Sequence, residues 1–184
     1  MSIVLMGSTS GSCTLQEQAV AGSTVITLPA VSGTLPIIKI GVTQTGAVAT
    51  GTTQIPSDDT IPQNTEGDEY MTLAFTPNSA TSTLIIQVTI QVSSSAGGGR
   101  MAAALFQDST ANALATGVQG FVDANKPMSM SFTYYMTSGT TSSTTFKVRA
   151  GNSGAGTTTF NGASGARLYG GTYSSSIIIT EIAT

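Results

Sequence analysis

Along much of this chain apolar positions recur with a period of two, the pattern of strands that bury one face. The clearest case is 83–92, where Leu84, Ile86, Val88, Ile90 and Val92 share one face and Ile85, Gln87, Thr89 and Gln91 share the other. The run 126–136 gathers Met128, Met130, Phe132, Tyr134 and Met136, so Tyr134 and Tyr135 fall on opposite faces. In 144–150, Phe146, Val148 and Ala150 alternate with Lys147 and Arg149. Further strands are predicted over 70–76, 100–107, 118–122, 157–160, 166–169 and 174–182, separated by turn-forming Gly, Ser and Asn. Arg100 to Phe106 has the alanine content of a helix, but its neighbours favour a strand. This spacing of strands and turns predicts an all-β sandwich or jelly roll. The apolar run Ile177-Ile178-Ile179 near the C-terminus is expected to insert into a sheet laid down earlier, beside 70–76, and so close the sandwich.

The first 65 residues read differently. Short β-prone fragments at 2–6, 12–20, 24–28, 34–40 and 42–48 are broken by Gly, Ser and Pro. A Thr-Leu pair recurs at Thr14-Leu15, Thr27-Leu28 and Thr34-Leu35, each near a turn former. With so few large apolar residues, residues 1–50 are expected to form a β-rich arm or stalk that is stable when several chains wrap together. Residues 51–69 carry Pro56, Pro62, Asp58, Asp59, Glu66, Asp68 and Glu69 without apolar periodicity and read as an acidic linker. Clustered carboxylates invite a calcium reading, but their spacing fits no calcium-loop motif, and a solvated linker is the alternative. Residues 70–184 form the expected head.

Composition narrows the class. Charged residues are 8% of the chain, against about 25% in ordinary soluble domains. A hydrophobic share of 40% with repeated β-branched runs argues against disorder. A monomer with so few charges would be poorly soluble, so its surface is expected to be covered by copies of itself or by a larger assembly. The net charge of −3 and six scattered Lys and Arg exclude the clustered basic face that nucleic acid requires. No stretch approaches the ~20 apolar residues of a membrane helix. The opening residues lack the basic flank and apolar length of a signal peptide, which predicts a cytoplasmic product.

Several chemistries are also excluded. With no histidine, Ser-His-Asp triads, Cys-His dyads and His-containing zinc sites are impossible. The single Cys13 can form no intrachain disulfide or cysteine metal site, and it reads as a buried thiol. Gly97-Gly98-Gly99-Arg100 lacks the Lys-Ser/Thr of a phosphate-binding loop and reads as a turn. Asp108, Asp123 and Glu181, the acids of 70–184, are too separated to propose as a glycosidase pair. No catalytic, cofactor-binding or metal residue is therefore assigned, and no enzyme is expected. The methionine and aromatic face of 126–136 suits an adaptable ligand surface, but reads more simply as sandwich core or subunit interface.

Two stretches carry a family resemblance. The pattern Thr14-Leu-Gln…Ala19-Val-Ala-Gly22-Ser-Thr-Val-Ile-Thr-Leu-Pro-Ala-Val-Ser-Gly-Thr-Leu35 resembles a segment of bacteriophage tail-fibre and related virion structural proteins. The pattern Phe146-Lys-Val-Arg-Ala-Gly…Gly156-Thr-Thr-Thr-Phe-Asn-Gly162…Leu168-Tyr-Gly-Gly…Ile177-Ile-Ile-Thr-Glu-Ile182 resembles their trimeric head. That head is similar to the jelly roll of the tumour-necrosis-factor and complement globular-head families. The resemblance implies a homotrimer, with N-terminal arms reaching toward a virion. Because the stalk-like pattern begins near residue 13 and leaves little room for a tail-attachment domain and a long shaft, the leading expectation is a capsid decoration, or cement, protein whose partners are itself and the major capsid protein or other virion proteins. The alternative is a short tail fibre that binds a host-surface glycan or protein through the loops 93–99, 138–143 and 151–165. A lectin or carbohydrate-active enzyme on the same fold is the rival of a different class.

Overall fold

The computed structural model describes residues 2–6, 12–16 and 37–183. The chain divides into two units, Met1–Thr34 and Leu35–Thr184. In the first, β1 (Ser2–Met6) and β2 (Ser12–Gln16) form an antiparallel hairpin pairing Ser2 with Gln16 and Met6 with Ser12. The expected fragment at 24–28, and the surroundings of the Cys13 thiol, lie outside the described residues.

The second unit is built from β3 (Ile37–Thr45), β4 (Ala49–Gly51), β5 (Asp68–Phe75), β6 (Thr83–Ser94), β7 (Gly99–Gln107), β8 (Ala115–Phe121), β9 (Met128–Thr137), β10 (Thr144–Asn152), β11 (Thr158–Phe160), β12 (Gly162–Ala163), β13 (Ala166–Arg167) and β14 (Ser175–Ile182). Two antiparallel sheets face each other. One has the order β3-β14-β6-β9, and β11 and β4 extend it alongside the end of β6. The other has the order β5-β10-β7-β8. With the eight principal strands numbered along the chain, the sheets read 1-8-3-6 and 2-7-4-5, the jelly-roll arrangement of two Greek keys.

The alternating residues meet between the sheets. Leu84, Ile86, Val88, Ile90 and Val92 of β6, with Ile177 and Ile179 of β14, pack against Phe146, Val148 and Ala150 of β10 and Met101, Ala103 and Leu105 of β7. Met128 and Met130 are buried in the same core and Phe132, Tyr134 and Met136 pack against its rim, so the methionine face is core.

Three expectations change. The last strand does not pair with β5, which among the described residues pairs with β10 alone in the opposite sheet; β14 sits between β3 and β6. Both β3 and β5 alternate apolar with polar residues, and periodicity alone does not say which sheet a strand joins. Next, 34–40 and 42–48 are not separate fragments, because β3 runs unbroken through Gly41. That glycine is a packing residue: a Cβ there would lie 2.7 Å from the buried Phe75 ring. Last, β3 and β4 are strands of the sandwich, so residues 37–50 do not belong to an arm.

The acidic stretch 51–69 is not a free linker either. It crosses the outer face of β7 and β10, burying Ile55 against Ala102, Ala104 and Phe106 in a second small core. Arg149 fastens it: Nε donates to the Glu66 carbonyl at 2.8 Å and an Nη to the Gly67 carbonyl at 2.6 Å. Gly151 is required beneath it, since a Cβ would collide with the Thr53 carbonyl oxygen.

Candidate functional site: an uncharged sheet face

The outward face of β3-β14-β6-β9 is set by the same alternation that builds the core. Cross-strand partners point to the same side, so the register gives rows across the sheet. Ile40, Thr180, Ile85 and Tyr135 form one row, and Val42, Ile178, Gln87 and Thr133 the next. Gln44, Ser176, Thr89 and Ser131 follow. None of these twelve positions carries a charge. Ile40 and Val42 are each 57% exposed and Tyr135 is 64% exposed. Large β-branched and aromatic side chains are thus held outward on a rigid sheet, interleaved with amides and hydroxyls. Such a face can form shape-matched contacts and neutral hydrogen bonds without desolvating an ion.

The face is anchored at both ends of β14. At its start, the Ser175 hydroxyl accepts from the Gln91 amide at 2.8 Å and donates to Asn161 Oδ1 at 2.6 Å. Asn161, in the left-handed region with φ 53°, donates from Nδ2 to the carbonyls of Thr45 and Ala47, tying the β3–β4 corner to the same knot. At its end, the buried Glu181 carboxylate accepts from the Asn78 amide at 2.8 Å, the Ser79 amide at 3.1 Å and the Ser82 hydroxyl at 2.7 Å. Burial pushes this carboxyl up. The Ser82 hydroxyl, the Asn78 and Ser79 amides and the Lys39 charge outweigh burial and hold it below the usual glutamate range. Lys39 itself donates to the Thr76 carbonyl at 2.6 Å and lies over the Phe75 ring.

The acids of 51–69 are dispersed in local roles. Asp68 accepts from the Thr53 amide and hydroxyl, Asp58 from those of Thr60, and Glu66 from the Gln63 amide. Glu69 lies 3.6 Å from Arg149 and 3.8 Å from Lys147. Among the described residues no three carboxylates converge on a point where a calcium ion would sit. Asp108 receives the Thr144 hydroxyl at 2.6 Å and the Thr145 amide at 2.7 Å and joins the end of β7 to the start of β10, a structural task.

The three loops proposed for host recognition fall at different places. Segments 95–98 and 153–157 come together at one end of the sandwich, linked by Ser95, Thr157, Ser153 and Arg100. Segment 138–143 lies at the other end, where Ser138 and Gly139 donate to the carbonyls of Ser82 and Ala80. The outward face itself was visible in sequence only in part. The alternation of 83–92 points to it, whereas the contribution of Ile40 and Val42 was hidden by reading a break at Gly41.

No family model matches the chain, and no curated protein is significantly similar to it. Solved structures resemble it at low identity. A tumour-necrosis-factor-like protein, Eiger, from S. frugiperda is 11% identical over 80% of this chain and 94% of its own, with a TM-score of 0.45. A chain of the T13 particle of infectious bursal disease virus (IBDV) is 11% identical over 97% of this chain, with a TM-score of 0.38. One from the Gx strain of that virus is 16% identical over 98%, with a TM-score of 0.34. This chain spans less than half of those two viral chains, 44% and 46%. The assignment as a jelly roll rests on the strand order itself.

Proposed function

We propose that this protein is a non-enzymatic virion structural protein: a homotrimer that decorates and cements a capsid shell, attached through its N-terminal segment. The observation that carries the reading is the uncharged outer face of β3-β14-β6-β9 on a chain with 8% charged residues. Three copies packed through it would hide Ile40, Val42 and Tyr135 from water and bury no ion. The virion setting follows from the resemblance at residues 14–35 and 146–182. Repeated shallow contacts across a shell would then add up through avidity.

In this reading the attachment segment is taken to precede Leu35, because β3 and β4 are strands of the sandwich. The test is mass and copy number. Light scattering on the purified chain should give a trimer, and quantitative gels of intact particles should give hundreds of copies. A stable monomer would defeat the subunit packing. A trimer in a handful of copies would favour the second reading, a short tail fibre that contacts a host-surface glycan or protein through the end loops. That reading draws on the pairing of 95–98 with 153–157 into one polar surface.

A further inference from the structure

At the far edge of the β5-β10-β7-β8 sheet, β8 pairs only with β7 among the described residues. Its seven residues, Ala115 to Phe121, include no charge and no proline, the usual guards of a free edge. The edges at β5 and β3 carry Asp68, Glu69 and Lys39, whereas β9, at the edge of the facing sheet, is uncharged like β8. Just before β8, the chain already accepts a partner on this side. The Ala113 amide donates to the Pro62 carbonyl at 2.9 Å and the Asn64 amide to the Ala111 carbonyl at 2.8 Å. The segment 62–64 is thus a short added strand. Upstream of it, 55–61 turns across the sheet, where Ile55 packs on Ala102 and Ala104, and among the described residues no strand pairs with the rest of the β8 edge.

Where that segment leaves, a groove opens. Two adjoining depressions of about 410 and 250 Å³ share Asp58, Thr60, Pro62 and Thr116. Ile55, Ala102 and Val118 give the floor an apolar character, and Val118 is 61% exposed. The groove is electrically polar. Asp59 borders one depression and Arg100 the other, with Asp58 between them bordering both; neither aspartate makes an ion pair among the described residues, and Arg100 donates to the Ser57 hydroxyl.

We propose that this edge and groove receive an extended segment of another protein, added as a strand to β8. The segment carries apolar side chains over Val118, a Lys or Arg at the Asp58–Asp59 end and an acid at the Arg100 end. Strand addition supplies affinity through main-chain hydrogen bonds, and the groove and its charges supply selection. The chain's own N-terminal segment fits poorly, because no Lys or Arg precedes Lys39. This inference does not rest on the virion role.

Eight-residue probe peptides with a core of alternating Val and Thr test it by fluorescence anisotropy on the full chain. Their ends carry Lys and Glu (in both orders), Gln and Gln, or Glu and Glu. One Lys/Glu peptide should bind about three- to fivefold tighter than the Gln/Gln peptide, as exposed ion pairs allow. D58N/D59N should erase that preference and leave Gln/Gln binding unchanged. Val118→Lys, with its melting temperature checked, should weaken every peptide at least tenfold. Equal binding of all peptides, a preference that survives D58N/D59N, or binding indifferent to Val118→Lys would overturn the proposal. So would a smaller solution mass for Val118→Lys, which would assign the edge to a second copy of this chain.

Discussion

Glu181 places a carboxylate in a strand otherwise built from Ser, Thr and Ile, and the loop 77–82 supplies the donors that make it tolerable. Its folded-state acidity is raised, so the group binds its proton less readily in the native state than in the unfolded chain. The stability it contributes is complete above the ordinary value of 4.5 and is lost as pH falls through the depressed folded value. Glu181→Gln should lower stability at neutral pH by about 1–3 kcal/mol, because the amide presents one acceptor where the carboxylate offered two. Urea unfolding of both proteins across pH should show the gap narrowing below 4.5; a constant gap would remove the carboxylate charge from the explanation. Gly41 makes the opposite kind of demand, for empty space. Gly41→Ala forces a methyl against the Phe75 ring and should cost about 1–3 kcal/mol, read by the same unfolding curves.

At the scale of elements, the strands were legible in sequence and their partners were not. The alternation in 83–92, 126–136 and 144–150 marks β6, β9 and β10 because one face of each meets the core. The same residues carry no label for which sheet a strand enters, so β14 was expected beside β5. The break read at Gly41 had a related cause: glycine signals a turn in sequence, while here it admits an aromatic ring from the facing sheet. Ile55 was lost among prolines and acids because a single apolar residue leaves no periodicity, yet it buries a second core. The consequence is a sharp boundary. Deleting residues 1–34 should leave the sandwich folded with its melting temperature nearly unchanged. Deleting 1–50 removes the strand that pairs β14 from Ser175 to Ile182 and should abolish cooperative unfolding by circular dichroism. Equal stability of the two truncations would show that β3 is dispensable.

For the whole molecule, the distribution of charge decides how the surface meets water. The few ions near the sheets hold pieces of one chain together: Arg149 and Lys147 with Glu69, Lys39 beside Phe75, Glu181 within its loop. The twelve matched positions on the outer face of β3-β14-β6-β9 hold none. Four strands spaced ~4.8 Å apart present a face roughly 20 Å wide in which Ile, Val and Tyr are mixed with Thr, Ser and Gln. In the proposed trimer every interface is the same, so one substitution on this face recurs at each contact. Val42→Glu would therefore place a carboxylate without a partner in every interface at once. An exposed edge position tolerates such a change in an isolated chain, so the variant should remain folded while its mass in light scattering falls to that of one chain. The melting temperature should fall with it to the extent that assembly stabilises the sandwich. An unchanged oligomer carrying Val42→Glu would place the contact between chains elsewhere, and Ile40, Val42 and Tyr135 would then have to meet a different partner.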